Sequence, residues 1–88
     1  MVQQGLFDHP QYPPNPWPIG SQKWRIYNRL SRYGRVTNIE IMTGLGGRHI
    51  MNTTGRTSEV REFLKPHGIK LHCERIHDGL FEYRLGAL

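Results

Sequence analysis

Between Ser21 and Tyr33 apolar residues recur every three to four positions: Ile26, Leu30 and Tyr33 fall at i, i+4 and i+7, with Tyr27 beside them. That spacing predicts an amphipathic helix with its apolar stripe turned inward. Ser21 supplies an N-cap hydroxyl, no breaker interrupts the segment, and Gly34 stands where a left-handed residue ends a helix. Arg25, Arg29 and Arg32 repeat the spacing on a face roughly 100° away, so a second, basic face looks toward solvent or phosphate. Trp24 lies outside the stripe, next to Tyr27, where it can receive the N-terminal residues.

A second, short helix is predicted after Gly34-Arg35-Val36, which reads as an extended link. Thr37 with Glu40 three residues on makes a capping box, and Ile39, Ile41 and Met42 follow before Gly44. Gly44, Gly46 and Gly47 stop it, and residues 44–53 form a connection with Leu45, Ile50 and Met51 anchored inward. A third helix spans Thr57 to Lys65, with a start as early as Thr54. Val60, Phe63 and Leu64 share about 100° of its arc, while Thr54, Ser58, Arg61 and Lys65 occupy the opposite side. Pro66 and Gly68 close it.

From Ile69 the period changes to two. Ile69, Leu71 and Cys73 alternate with polar residues, as do Phe81, Tyr83 and Leu85, which predicts a β-hairpin turning near Asp78-Gly79. A two-residue loop would put the two apolar sets on opposite faces. A three-residue loop, His77-Asp78-Gly79, pairs 73 with 83 and 71 with 85 and buries both sets on one face, so burial selects it. Cys73 then belongs to the core, and Ile76 and Leu80 lie on the outer face at the tip.

Before the first helix the pattern is neither helical nor strand-like. Five of the six prolines fall between residues 10 and 18, and proline at that density removes backbone donors and favours polyproline II. Residues 1–19 therefore read as a Pro-rich flexible arm and 20–88 as the folded domain.

Length limits what such a chain can do. With 88 residues, 36% hydrophobic, a folded core hides only about 60% of the surface the unfolded chain exposes, which disfavours a deep cleft between domains. No apolar run reaches the roughly 20 residues that span a bilayer, and no basic-then-apolar leader opens the sequence, so no membrane partner is expected. One cysteine cannot form an internal disulfide, which fits a reducing, cytoplasmic setting.

The net charge of +5 is unevenly placed. Residues 1–20 carry −1, residues 21–61 carry eight basic against two acidic side chains, and 62–88 are balanced. Arg outnumbers Lys nine to three, and the planar guanidinium fork matches phosphate and guanine edges, which favours a nucleic-acid partner.

Other chemistry is thin. His67, His72, Cys73 and His77 lie close in sequence, but His72 and Cys73 are adjacent on a strand and point to opposite faces, which argues against one shared metal ion. Gly44-x-Gly46-Gly47 lacks the Lys-Ser/Thr of a phosphate loop, and no nucleophile sits beside a base. No enzyme activity and no cofactor are expected.

The order helix, link, helix, connection, helix, hairpin is that of a three-helix core with a C-terminal two-stranded wing, an α+β architecture. Gly34-Arg35-Val36-Thr37, then Ser58-Glu59-Val60-Arg61, then Gly68-Ile69-Lys70-Leu71 resemble the winged helix-turn-helix domains of bacteriophages and mobile elements. The resemblance covers residues 21–85. The chain departs from the pattern in its long Gly-rich connection and in Val60, where Leu is usual.

The resemblance implies a transcriptional regulator, cytoplasmic in the host cell, whose third helix enters the major groove of double-stranded DNA while the wing touches backbone. Base-edge candidates are then Thr54, Ser58 and Arg61. Phosphate candidates are Arg48, Arg56 and Lys65, with Arg75 and His77 from the wing. The rival expectation is a winged helix that docks on a host protein through its arm and through Ile76 and Leu80. Monomer and homodimer remain open at this stage.

Overall fold

The computed structural model describes residues 12–87. It is a small α+β fold of three helices and a three-stranded antiparallel sheet. In chain order these are α1 (Gln22–Tyr33), β1 (Arg35–Thr37), α2 (Asn38–Met42), α3 (Thr53–Leu64), a 3-10 turn (Lys65–His67), β2 (Ile69–His77) and β3 (Leu80–Ala87).

The ends of α1 and α2 are where the sequence places them. The Ser21 hydroxyl accepts from the Trp24 amide at 3.3 Å, and Gly34 closes α1 at φ 82°. Thr37 and Glu40 form the full capping box, with the Glu40 amide donating to Thr37 Oγ1 at 3.1 Å and the Thr37 amide donating to Glu40 Oε1 at 2.8 Å. Helix α3 starts four residues before Thr57, because Asn52 caps it by accepting from the Gly55 amide at 3.1 Å. A Cβ at residue 55 would collide with the Asn52 side chain, so glycine is what lets this cap fold over the first turn.

The link Arg35–Thr37 is a strand and not a passive connection. It pairs with β3 through Val36↔Tyr83, giving the sheet order β1-β3-β2 in place of the expected two-stranded wing. The hairpin register is the one burial selects, Cys73↔Tyr83 and Leu71↔Leu85. Its turn differs: His77 pairs with Leu80 across Asp78-Gly79, and the extra residue is absorbed by a bulge at Ile76.

One core joins all layers. Ile26, Tyr27 and Leu30 of α1 meet Val36, Ile41, Ile50, Val60, Leu64, Ile69, Leu71 and Tyr83. The Thr57 hydroxyl, buried among them, donates to Thr53 and Thr54 carbonyls at 2.9 and 3.0 Å, so no unsatisfied donor enters the core there. Several expected core residues lie wholly or partly outside, among them Phe81 of the hairpin's inner set, 37% exposed at the end near the turn. Tyr33 is 68% exposed because the last turn of α1 runs past the edge of the core, and Arg29 lies 5.5 Å from its ring centroid. Met51 is 88% exposed, Cys73 is exposed, and Phe63 is only partly buried.

The second half of the expected arm is docked. Trp17 packs edge-on against Phe63 at 5.1 Å and Tyr27 at 6.0 Å between ring centroids. Asn15 donates to the Trp24 carbonyl at 3.1 Å, and the Tyr27 hydroxyl donates to the Pro13 carbonyl at 2.5 Å. Residues 12–18 of the Pro-rich arm thus lie against the domain; residues 1–11 fall outside the described residues.

Candidate nucleic-acid interface

Helix α3 presents its residues in a fixed order around its axis. At 100° per residue, Thr57, Val60 and Leu64 centre the buried face, and the positions opposite them are Gly55, Ser58, Glu59 and Glu62. Thr54 and Ser58 are exposed. Arg61 is not on that outer arc: it is half-buried, with Nη2 3.5 Å from the Leu71 carbonyl of β2. Arg56 lies on the other flank, half-buried, its Nη1 2.6 Å from Glu59 and its Nε buried without a partner. Of the base-edge candidate Arg61 and the phosphate candidate Arg56, the first reaches a backbone carbonyl and the second pairs with Glu59.

The remaining candidates divide. Lys65 pairs with Glu62 at 3.2 Å, and Arg75 pairs with Asp78 at the hairpin turn. His77 is exposed beside them, its Nδ1 3.3 Å from the Asp78 carbonyl. Arg48 is exposed in the Gly-rich connection just before α3 and forms no ion pair among the described residues.

The path of that connection has a clear cause. Gly44, Leu45 and Gly46 all take left-handed backbone conformations, and a Cβ on Gly44 would strike the Gly47 and Arg48 carbonyls. Arg25 reaches across to hold the loop, donating to the Gly44 carbonyl at 2.5 Å and the Arg48 carbonyl at 2.8 Å, and back to Gly20 at 3.1 Å. One arginine of the expected basic face of α1 is thus a loop latch, and a second, Arg29, pairs with Glu40 at 3.2 Å.

Every acidic side chain among the described residues is in an ion pair: Glu40, Glu59, Glu62, Glu74, Asp78 and Glu82. Among the described residues the basic side chains without an ion pair are Arg25, Arg32, Arg48, Arg61 and Lys70. The surplus charge is uncompensated locally, and one of its bearers, Arg48, is exposed in the connection that leads into α3.

A feature that the sequence reading missed lies beside this end. A groove of about 810 Å³ runs between α2, residues 49–54 and the hairpin, with Ile39, Met42, Met51, Cys73, Phe81 and Tyr83 on its walls. No Arg, Lys, Asp or Glu lines it. Burial pushes the Tyr83 hydroxyl above its usual pKa, with the Thr57 hydroxyl opposing, so it stays neutral at physiological pH. Ile39, Met42 and Met51 were visible as apolar residues; which of them stay exposed depends on where α2 and the hairpin meet. The hairpin is held to α2 by Asn38, whose amide donates to the Gly79 carbonyl at 3.0 Å and whose oxygen accepts from the Phe81 amide at 2.9 Å.

Among the described residues no group of three or more His, Cys, Asp or Glu is placed to hold a metal, and no helix is long and apolar enough to cross a membrane. No protein-family model, curated protein or solved structure matches this chain.

Proposed function

We propose that the chain is a winged helix-turn-helix module that binds double-stranded DNA, acting as a small regulator of transcription of the phage or mobile-element kind. The observation that carries this reading is the surplus of basic side chains without an ion pair among the described residues, one of which, Arg48, is exposed in the connection leading into α3. The element order, with a hairpin braced against the second helix, supports the finer fold.

The contact is made by the N-terminal half of α3. Its C-terminal half presents Glu62 outward, and a carboxylate there repels phosphate even when Lys65 is beside it. Thr54 and Ser58 reach base edges, the helix N-terminus and Arg48 meet the backbone, and Arg75 and His77 contribute from the hairpin tip. Hydroxyl donors read bases with little selectivity, so the reading implies modest sequence preference.

Fluorescence anisotropy with a mixed-sequence duplex of about 20 bp tests this. Three or four phosphate contacts predict a log–log salt slope of roughly −3. Arg48→Ala lowers the slope by about one, whereas Arg61→Ala leaves it unchanged. Absence of saturable binding at about 50 mM salt sinks the reading.

A further inference from the structure

Seven large hydrophobic side chains stand exposed on the described surface, and Ile39, Met42, Met51 and Phe81 converge on the one groove between α2, the 49–54 segment and the hairpin. Met51 is 88% exposed on its wall, and Met42 and Ile39 are nearly half exposed. In a chain with 22% charged residues, a concave surface without a single formal charge is an unusual concentration of apolar area. Methionines on such a wall adapt their shape to an incoming side chain at low cost.

We infer that this groove is a docking site for a segment of another protein that carries two or three apolar anchors flanked by Asp or Glu. The chemistry disfavours a nucleic-acid backbone and a second copy of the chain as occupants. Phosphate finds no cation in the lining, so duplex backbone does not settle there. A second copy of the chain would bring +5 against +5, and among the described residues no acidic side chain is left unpaired to offset the repulsion. A partner with acidic flanks meets the opposite situation: its apolar anchors enter an uncharged groove while Arg48, next to His49 of the lining, faces no competing acid.

The site also has a position. Asn52, Thr53 and Thr54 belong both to the groove wall and to the first turn of α3. A segment seated in the groove therefore covers the helix end assigned to DNA, and the two partners exclude one another. That exclusion rests on the DNA reading; the groove itself does not.

A display library of random peptides of about 16 residues, selected on the folded chain, supplies the probe. Enrichment of peptides combining apolar anchors with Asp or Glu is expected, with affinity reduced at least tenfold by Met42→Ser or Phe81→Ser. Met42 is 49% and Phe81 37% exposed, and circular dichroism melts check that the variants stay folded. Amide shifts on titration with a selected peptide map to residues 38–43, 49–54 and 81. Enrichment of basic peptides, binding indifferent to both substitutions, shifts elsewhere, or concentration-dependent self-association lost in the same variants each overturns the inference. Displacement of labelled duplex by the peptide supports the exclusion; peptide binding by a chain that never binds duplex discards the DNA reading and leaves the groove standing.

Discussion

The side of the core where α1 meets the end of α3 is closed by residues 12–18 of the chain itself, whereas the side where α2 meets the hairpin is open. On the closed side Trp17 sits between Tyr27 and Phe63, with Lys23 5.6 Å from the Trp17 ring, and hydrogen bonds from Asn15 and Tyr27 fix the segment. On the open side Ile39, Met42, Met51 and Phe81 have no counterpart to Trp17 among the described residues. The difference teaches that apolar exposure here is local: among the described residues a Pro-rich segment covers one face and nothing covers the other.

Substitutions that treat the two sides alike sharpen this contrast. Trp17→Ala removes an aromatic wedge from the closed side and should lower stability by about 2–3 kcal/mol, less than a fully buried Trp because part of its surface is already wet. Met51→Ser on the open side should change stability by less than about 0.5 kcal/mol. Chemical denaturation of both variants checks the pair, and equal losses would erase the distinction.

Alkaline pH probes the closed side next. Burial, reinforced by Tyr12 nearby, pushes the Tyr27 pKa up to about 12. The folded state therefore holds its phenol proton more tightly than the unfolded chain, whose tyrosine titrates near 10. The associated stability is present below about pH 10 and is lost as pH rises toward 12, a decline on the order of 2 kcal/mol. Tyr27→Phe should flatten that part of the pH profile. A profile equally steep in the variant would assign the decline to another group.

Smaller effects concern the loop before α3. Arg25→Ala removes three donors to backbone carbonyls and should cost about 1–2 kcal/mol, with faster hydrogen exchange confined to residues 44–48. Thr37→Ala should cost about 1 kcal/mol by opening the capping box at the start of α2. If Arg25→Ala instead left exchange in the loop unaltered, the left-handed run at Gly44–Gly46 would hold itself.

The sequence was most readable where structure is local. Ser21, Gly34 and the Thr37–Glu40 pair act within one helical turn, and the hairpin register follows from which faces must be apolar. Asn52 was missed because Gly55 looks like a breaker; Asn followed three residues later by Gly, before an apolar stripe, is the signal that reveals such a cap. Strand β1 is three residues long, too short for a period, and exists because β3 offers it a ladder. Tyr33 fits the stripe of α1 by spacing yet outruns the core, a matter of where the sheet ends.

The candidate site was less legible for the same reason. Arg56 and Arg61 sit on α3 as the spacing requires, but their partners, Glu59 and the Leu71 carbonyl, were invisible to a reading of one face of one helix. The groove is invisible at that level too, since its walls come from three segments separated along the chain. Cys73 and Phe81 alternate correctly on the inner face of the hairpin. They stay uncovered because the groove between α2, residues 49–54 and the hairpin opens over them.

The pairing of β1 with β3 has a consequence for how the chain is made. Val36 is synthesised early and its partner Tyr83 late, so a nascent chain carrying α1, α2 and α3 on the ribosome has no ladder for β1 and no lid over Val36. The central strand of the sheet is the last to arrive, and it is the one both neighbours need. Folding of this domain is therefore expected to wait until β3 has emerged from the ribosome, leaving the preceding helical segment exposed to chaperones and proteases in the interval.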